Sequence, residues 1–324
     1  MEKNSKIYIA GHRGLVGGAI VRKLQIDGYT NLLTRTHTEL DLLDQAAVNS
    51  FFETERPEYV FLAAARAGGI GANSTYPADF IYQNTMIGFN VVHASYKNGI
   101  KKLINLGSSC IYPKLAPQPL KEEYLLTASL EPSNEAYAIA KICVIKLCTS
   151  YNRQYGTNYL SAMPTNLYGP GDNYDPDGSH VLPALIRKFH EAKVSGTDRV
   201  TLWGDGSPLR EFLFSDDLAE ALVMLMQKYN AEDLATSGGD FVNIGSGSDL
   251  TIKELAEKVR EVVYAGTLNR DCRIEWDDTK PNGTPQKLLD ISRIAALGFS
   301  PEVGLVKGIG LAYEDFVKTL KEDK

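Results

Sequence analysis

The stretch Lys6–Ala10 is a short apolar run that leads directly into Gly11-His12-Arg13-Gly14-Leu15-Val16-Gly17. These residues form a GxxGxxG spacing that opens a predicted helix over residues 16–28. Glycine permits a tight turn and a close approach of the backbone to a pyrophosphate, and a helix N-terminus supplies amide donors and a positive dipole. A plain strand–turn–helix also fits the glycines alone, but their place after a strand favours dinucleotide binding.

Strand-like runs alternate with helical patterns through the first half of the chain. Strands are predicted at 6–10, 31–34, 59–65, 102–108 and 159–165, and helices at 16–28, 46–55, 80–97 and 137–155. Such alternation indicates βαβ crossovers and a parallel sheet. We therefore predict an α/β fold with a Rossmann-type doubly wound parallel sheet over residues 1–170.

The turn-rich stretch 168–178 breaks this alternation, and shorter elements follow it. Helices are predicted at 181–192, 217–229, 251–263 and 305–320, and strands at 200–203, 241–244 and 273–276. We expect a smaller C-terminal α/β substrate domain over 171–324, with a segment near 210–248 returning to the first domain.

Composition excludes several classes of protein. The 324 residues are 44% hydrophobic and 23% charged, which is typical of a globular chain with room for about two domains. The net charge of −6 disfavours nucleic acid as a partner, because affinity for a phosphate backbone needs a basic surface. No apolar run reaches about 18 residues and the N-terminus resembles no signal peptide, so we expect a cytoplasmic protein without membrane contact.

The cysteines predict neither disulfides nor a metal site. Cys110, Cys143, Cys148 and Cys272 are few for a chain of this size and lack zinc-ligand spacing. Free thiols in a reducing compartment are the simplest interpretation.

The end of the second predicted strand bears on cofactor choice. NAD-binding units carry an acidic residue there, which accepts hydrogen bonds from the ribose 2′-hydroxyl. Here the residues are Thr34-Arg35-Thr36-His37, without a carboxylate. Arg13 and Arg35 would instead meet a 2′-phosphate, which predicts NADP(H) rather than NAD. The alternative is that Arg35 is only a solvated charge.

Tyr137 and Lys141 stand at i and i+4 and therefore share one face of a helix. A lysine ammonium beside a phenol should lower the phenol pKa, which suits an acid for a carbonyl oxygen. The run Leu106-Gly107-Ser108-Ser109-Cys110 ends a predicted strand, at the edge of the sheet where ligands of open α/β folds bind. Together these features predict a reductase site.

The order of these motifs resembles the extended short-chain dehydrogenase/reductase superfamily, and longer segments are similar to the GDP-L-fucose synthase family within it. The similarity covers essentially the whole chain. The segments 107–114 and 179–183 are specific for this branch. The segments are Gly107-Ser108-Ser109-Cys110-Ile111-Tyr112-Pro113-Lys114, Tyr137-Ala138-Ile139-Ala140-Lys141, Met163-Pro164-Thr165-Asn166-Leu167-Tyr168-Gly169, Ser179-His180-Val181-Leu182-Pro183, Trp203-Gly204 and Arg210-Glu211-Phe212.

The resemblance implies epimerisation of GDP-4-keto-6-deoxy-D-mannose at C3 and C5, followed by hydride transfer from NADPH to C4. Ser108 and Tyr137 would hold the negative charge on the C4 oxygen, and Tyr137 would protonate it. Lys141 would hold the nicotinamide ribose. Cys110 and His180 would be the acid/base pair for epimerisation, with either one as the base. Without the resemblance, Cys110 would more often be a buried packing residue. His180 could likewise be only the cap of the helix that follows it.

The resemblance also implies contacts with the cofactor and the substrate. Cofactor contacts are expected from Gly11, His12, Arg13, Gly14, Leu15, Val16, Gly17, Arg35, His37, Asp41, Leu42, Leu106, Gly107, Ser108, Ser109, Tyr137, Lys141, Pro164, Thr165, Asn166, Leu167 and His180. Substrate contacts are expected from Lys188, Trp203, Arg210 in the turn after the strand of Trp203, and Asn282. Trp203 could equally belong to a strand core. A homodimer that pairs helices of the nucleotide domain is also expected.

Two positions depart from the family pattern. Asn282 stands where relatives carry an aspartate, which puts a guanine contact there in doubt, and His37 stands where relatives often carry an arginine, which would weaken NADP selectivity. A GDP-L-colitose synthase or another nucleotide-sugar epimerase or reductase is the alternative activity. A dehydratase is disfavoured because Ser109-Cys110 occupies the place of its acid pair, and a non-catalytic NADP-binding regulator is disfavoured because all five catalytic residues are present.

Overall fold

The computed structural model describes residues 1–176, 178–236, 239, 241–266, 272–280 and 282–322. The strands are β1 (Ile7–Ala10), β2 (Leu32–Leu33), β3 (Tyr59–Leu62), β4 (Lys102–Leu106), β5 (Tyr159–Pro164), β6 (Asn166–Tyr168), β7 (Arg199–Trp203), β8 (Leu209–Phe214), β9 (Val242–Ile244), β10 (Asp249–Thr251), β11 (Arg273–Asp277) and β12 (Gln286–Lys287). The helices are α1 (Leu15–Ile26), α2 (Gln45–Glu55), α3 (Ile70–Thr75), α4 (Pro77–Lys97), α5 (Glu135–Tyr155), α6 (Val181–Ser195), α7 (Ser215–Lys228), α8 (Ala231–Thr236), α9 (Ile252–Val263), α10 (Ser292–Ala296) and α11 (Leu305–Glu322). Across these described ranges, no helix is long and apolar enough to cross a membrane.

A six-stranded parallel sheet in the order β2-β1-β3-β4-β5-β9 forms the larger layer. Alternate side chains of β1 serve two cores, because successive residues of a strand point to opposite faces. Ile7 and Ile9 pack with α1 and α7, whereas Tyr8 and Ala10 pack with α2, α4 and α5. This doubly wound parallel arrangement confirms the predicted fold class. Strand order reverses between β1 and β3, and such a point opens a crevice at the carboxyl ends of the strands.

The remaining strands form two smaller sheets, separate from the six-stranded one. Strand β8 is central and pairs with β10, β12 and β6, while β7 pairs in parallel with β11. Helices α6, α9 and α11 cover a separate core that includes Leu185, Val259 and Ile309. Ile294 and Phe299 near the C-terminus pack instead into the core of the larger sheet.

Strands β6, β8, β10 and β12 were not expected from the sequence, and the placement of Arg210 in a turn is wrong. Arg210 is the second residue of β8 and pairs in register with Leu250 and Lys287. The adjacent charges Arg210 and Glu211 hide the strand pattern. Glu211 is tolerated because distant backbone N–H groups donate to its carboxylate, whereas the Arg210 guanidinium donates to the carbonyl of the adjacent Leu209.

Lys102, in a central strand, is a buried cation that the fold uses structurally. Its ammonium donates to the carbonyls of Leu225, Met226 and Tyr229 at the end of α7. Burial lowers the pKa of Lys102 to about 8. A lysine at a helix C-terminus satisfies carbonyls that lack intrahelical donors.

We expect Lys102→Met to lower the free energy of unfolding by about 1–3 kcal/mol, because three buried carbonyls lose their donor. Urea unfolding followed by circular dichroism measures the change. Lys101→Met is the matched control, since Lys101 is exposed and its ammonium pairs with Glu58 at the surface. Equal effects of the two substitutions would show that the buried contacts contribute nothing.

Candidate active site

The glycine-rich turn after β1 lies at the crevice between β1 and β3. Gly11 has a φ of +86°, and a Cβ there would stand 2.7 Å from the Ala64 nitrogen in the segment after β3. A Cβ on Gly17 would stand 2.1 Å from the Gly11 carbonyl oxygen. Helix α1 begins after Gly14 with no side-chain cap, so its first amides face outward without an internal acceptor. This cradle fits a dinucleotide pyrophosphate.

The residues expected at a 2′-phosphate lie beside this turn. Arg13 is exposed, and His37 is exposed with its Nε2 3.7 Å from Asp41 Oδ1. Arg35 is half-buried, pairs with Glu55 at 2.6 Å and lies over the Phe51 ring. The alternative that Arg35 is only a solvated charge is therefore wrong. Its guanidinium is held in one orientation at the strand end.

The end of β4 carries the serine and cysteine. Gly107 donates its N–H to the Ala162 carbonyl, and Ser108 begins a 3₁₀ turn over Ser109–Ile111. Cys110 is buried, with its backbone N–H directed at Ser108 Oγ. Helix α5 brings Lys141 to the same place, where its ammonium donates to the Leu106 carbonyl at 2.8 Å.

The ionisation of Tyr137 differs from the expectation. Burial raises its pKa above the ordinary value of 10, an effect that the Cys110 charge strengthens and a hydrogen bond with Ser108 opposes. Burial lowers the pKa of Lys141 to about 8. The expected lowering of the Tyr137 pKa by Lys141 is therefore wrong for this chain, because burial raises that pKa and the Lys141 ammonium is directed at the Leu106 carbonyl. Tyr137 stays protonated at neutral pH and can donate a proton.

The ends of β5 and β9 both meet Glu211, a buried residue of β8. Its side chain accepts hydrogen bonds from the backbone N–H groups of Gly247 and Leu289, at 2.7 and 3.0 Å. Its own carbonyl accepts from the side chains of Thr165 and Asn166. Glu211 therefore links the end of the larger sheet to β8 and to the segment after β12.

His180 is the N-cap residue of α6, as the alternative role predicts, but its side chain makes no capping hydrogen bond. Partial desolvation and the nearby Lys287 ammonium lower the pKa of His180. Lys287 also acts on Cys110, where it opposes the increase in pKa that burial causes. Lys287 and Arg210 are register neighbours on β12 and β8, and burial lowers the pKa of each. Lys287 is thus a basic neighbour of Cys110, His180 and Arg210.

The other expected substrate residues lie around the end of β7. Lys188 donates to the Thr201 carbonyl at 3.0 Å. Trp203 is 67% exposed, which excludes the strand-core alternative, and Lys280 lies over its ring. Asn282 Oδ1 accepts from the Asp205 N–H in the turn after β7.

Lys287 and Glu211 are the residues of the cleft that sequence reasoning did not assign. Lys287 follows a polar stretch with no periodicity, so only its pairing with β8 brings it to Arg210. Glu211 was visible inside the Arg210-Glu211-Phe212 segment, but its neighbours come from distant parts of the chain. Among the residues that the structure describes, no group of three or more His, Cys, Asp or Glu side chains could hold a metal ion.

The fold and the cleft define a nucleotide-dependent epimerase or reductase of the Rossmann class. Residues 7–245 match the family described as "NAD dependent epimerase/dehydratase family". The chain belongs to this family and, within it, to the GDP-L-fucose synthase group.

Three similar proteins support this placement. GDP-L-fucose synthase 1 of Arabidopsis thaliana is 58% identical over 98% of this chain and 95% of its own length. The Escherichia coli GDP-L-fucose synthase is 52% identical over 97% of each chain. A solved GDP-D-glycero-L-gluco-heptose synthase from Campylobacter jejuni, determined in the presence of NADPH, has a TM-score of 0.90 and 41% identity, covering 98% of this chain and 99% of its own.

The alternative activity, colitose synthesis, is represented by a less similar protein. A GDP-L-colitose synthase of Yersinia pseudotuberculosis is 35% identical over 98% of this chain and 100% of its own length. The 58% identity to the Arabidopsis GDP-L-fucose synthase 1 is higher, so the chain groups with the fucose synthases rather than with the colitose synthase.

We expect Lys287→Met to raise the pKa of both His180 and Cys110, because a positive charge near each group favours its deprotonated form. The titration of the His180 ring by NMR and the pH dependence of Cys110 alkylation measure the two values. Lys280→Met is the control, since Lys280 is exposed above Trp203. Unchanged titration of His180 in Lys287→Met would contradict the assignment of Lys287 to this cleft.

Proposed function

We propose that this protein is an NADPH-dependent enzyme that converts GDP-4-keto-6-deoxy-D-mannose to GDP-L-fucose by 3,5-epimerisation and reduction at C4. The observation that carries the proposal is the meeting of Ser108, Cys110, Tyr137 and Lys141 at the end of β4, with Lys287 linking Cys110 to His180. The identity to GDP-L-fucose synthases over nearly the whole chain supports it.

The cofactor fits the chain's own residues. NADPH supplies the hydride for C4 when it is bound. The turn around Gly11 and Gly17 would cradle its pyrophosphate, since both positions exclude a side chain. Arg13 and the oriented Arg35 would face the 2′-phosphate, with His37 and Asp41 nearby. Lys141 would reach the ribose next to Leu106.

The proton chemistry follows from the positions of the acids. Both epimerised carbons flank the C4 carbonyl, so removal of either proton places negative charge on the C4 oxygen. Ser108 and protonated Tyr137 would donate hydrogen bonds to that oxygen. Tyr137 would then supply its proton as C4 is reduced, while Cys110 and His180 would exchange protons with C3 and C5 from opposite faces of the ring.

The diphosphate would lie against Arg210 and Lys287. These two half-buried cations repel each other, and an anionic ligand removes that repulsion. The sugar nucleotide would extend toward Lys188 and the exposed ring of Trp203. Asn282 would offer its amide N–H donors, because its oxygen already accepts from Asp205.

We further propose the domain division 1–170 and 171–324, with a segment near 210–248 returning to the nucleotide domain. Pairing of β9 with β5 and packing of α7 on α1 support the return, while β8 lies with the substrate-side strands. A cytoplasmic location is proposed as well. It is supported by the free thiols of all four cysteines.

The test mixes protein, NADPH and GDP-4-keto-6-deoxy-D-mannose and follows nicotinamide absorbance. We expect oxidation of NADPH, loss of at least about 100-fold in rate for Tyr137→Phe, and an unepimerised 6-deoxy sugar from Cys110→Ser. No oxidation of NADPH by the unmodified protein, or a reduced product that is not inverted at both C3 and C5, would reject the assignment. Cys143→Ser on the same helix as Tyr137 is the matched control for the cysteine change.

We also propose a homodimer formed by α4 and α5. A stripe of Tyr82, Met86 and Phe89 runs along α4 at i, i+4 and i+7, and Tyr155 of α5 continues it. Tyr82 is 63%, Phe89 36% and Tyr155 45% exposed, an apolar surface that a second copy would cover.

Replacement of Phe89 by glutamate should produce monomers, because a charge in the centre of an apolar contact is costly. Sedimentation velocity measures the mass. Ile26→Glu, which changes an 82% exposed residue on α1, should leave the dimer intact. A monomeric unmodified protein would refute this assembly.

A further inference from the structure

The two epimerisations demand that one base act twice. In the chair of a D-manno 4-keto sugar, the hydrogens on C3 and C5 are both axial and lie on the same face of the ring. The group that removes the first proton is therefore the group that removes the second. After one inversion the base holds an extra proton and the acid lacks one, so both must be restored before the other carbon reacts. This argument rests on the proposed function.

Cys110 and His180 differ in their access to solvent. His180 is exposed and can exchange protons with water directly. Cys110 is only 8% exposed, and bound substrate would cover the side that faces the cleft. Whichever of the two is the base, Cys110 must lose or gain a proton between the inversions through the protein.

A small cavity with several polar and charged lining residues lies next to Cys110. Its volume of about 30 Å³ has room for about two water molecules. Cys110, Lys114, Glu131, Asn134 and Lys287 are among its lining residues. The Asn134 Oδ1 atom is buried and has no hydrogen-bond partner among the residues that the structure describes, which is the situation that a buried water resolves.

The charged residues of this cavity lead from Cys110 to the surface. Lys287 stands close enough to both Cys110 and Glu131 for their charges to interact. Glu131 pairs with Lys114 at 2.9 Å, and their side chains are 22% and 43% exposed. Ser133 also donates to Glu131 and fixes its carboxylate beside α5.

We propose that water in this cavity relays protons between Cys110 and the Glu131 carboxylate, and so restores Cys110 between the two epimerisations. If Cys110 is the base, its S–H proton passes to a water as that water passes one of its own protons to Glu131, which then releases it to solvent. If Cys110 is the acid, the same transfers run in reverse and return a proton to the thiolate. Asn134 Oδ1 and the Lys287 ammonium hold the water in place.

The test compares Glu131→Gln with the unmodified protein in D₂O, with NADPH and the 4-keto substrate. Glutamine keeps the size of the side chain but cannot take up the proton. The first inversion should proceed, and the second should slow by about tenfold or more. Mass spectrometry and NMR should then find a reduced GDP-6-deoxyhexose that is inverted and deuterated at only one of C3 and C5. Unchanged affinity for NADPH verifies that the variant is folded.

Two control variants separate the relay from structural support. Lys114→Gln removes the ion pair but keeps the carboxylate, and Glu123→Gln changes an exposed carboxylate near by. Both should give doubly inverted product. In Glu131→Ala, added formate should restore the second inversion by occupying the vacated space.

Doubly inverted product from Glu131→Gln at the unmodified rate would overturn the relay and leave the proposed function intact. So would a Lys114→Gln variant that stalls after one inversion in the same way. Absence of NADPH oxidation by the unmodified protein would instead reject the proposed function itself.

Discussion

The buried carboxylate of Glu211 is the constraint on which the geometry of the cleft depends. A fully buried charge must be compensated by hydrogen bonds, and Glu211 obtains them from Gly247 after β9 and Leu289 after β12. Its backbone carbonyl simultaneously takes the side chains of Thr165 and Asn166. One residue of β8 therefore sets the distance between the nucleotide-side sheet and the strands that carry the basic residues.

That placement explains how an acidic protein can hold a polyanionic substrate. The net charge of −6 is spread over the chain, whereas Arg210 and Lys287 are adjacent across two paired strands. Their mutual repulsion and burial lower the pKa of Lys287. The same ammonium reaches Cys110 and His180, so binding of the diphosphate and the protonation of the epimerisation groups are electrically linked.

The candidate proton donors differ in how far the protein buries them from solvent. Burial keeps Tyr137 protonated, and it lowers the pKa of Lys141 to about 8. Cys110 is enclosed while His180 is open to water. Under the proposed relay, the cavity beside Cys110 gives this enclosed cysteine a route to solvent between its two reactions.

The sequence by itself determined the features that depend on near neighbours. The turn from Gly11 to Gly17, the doubly wound alternation and the i, i+4 pair of Tyr137 and Lys141 are set within a few residues of the chain, so spacing and residue type suffice to predict them. The family resemblance added the longer motifs. Most predicted element boundaries agree with the structure to within a few residues.

Tertiary structure alone decided the rest, because burial and long-range pairing have no local signal. Arg35 pairs with Glu55, Arg210 lies in a strand, and Lys287 reaches the cleft only through the pairing of β12 with β8. The pKa of Tyr137 rises because folding removes water from it, although the sequence places a lysine one turn away. The cavity beside Cys110 likewise exists only when residues 110, 131, 134 and 287 come together in the folded chain.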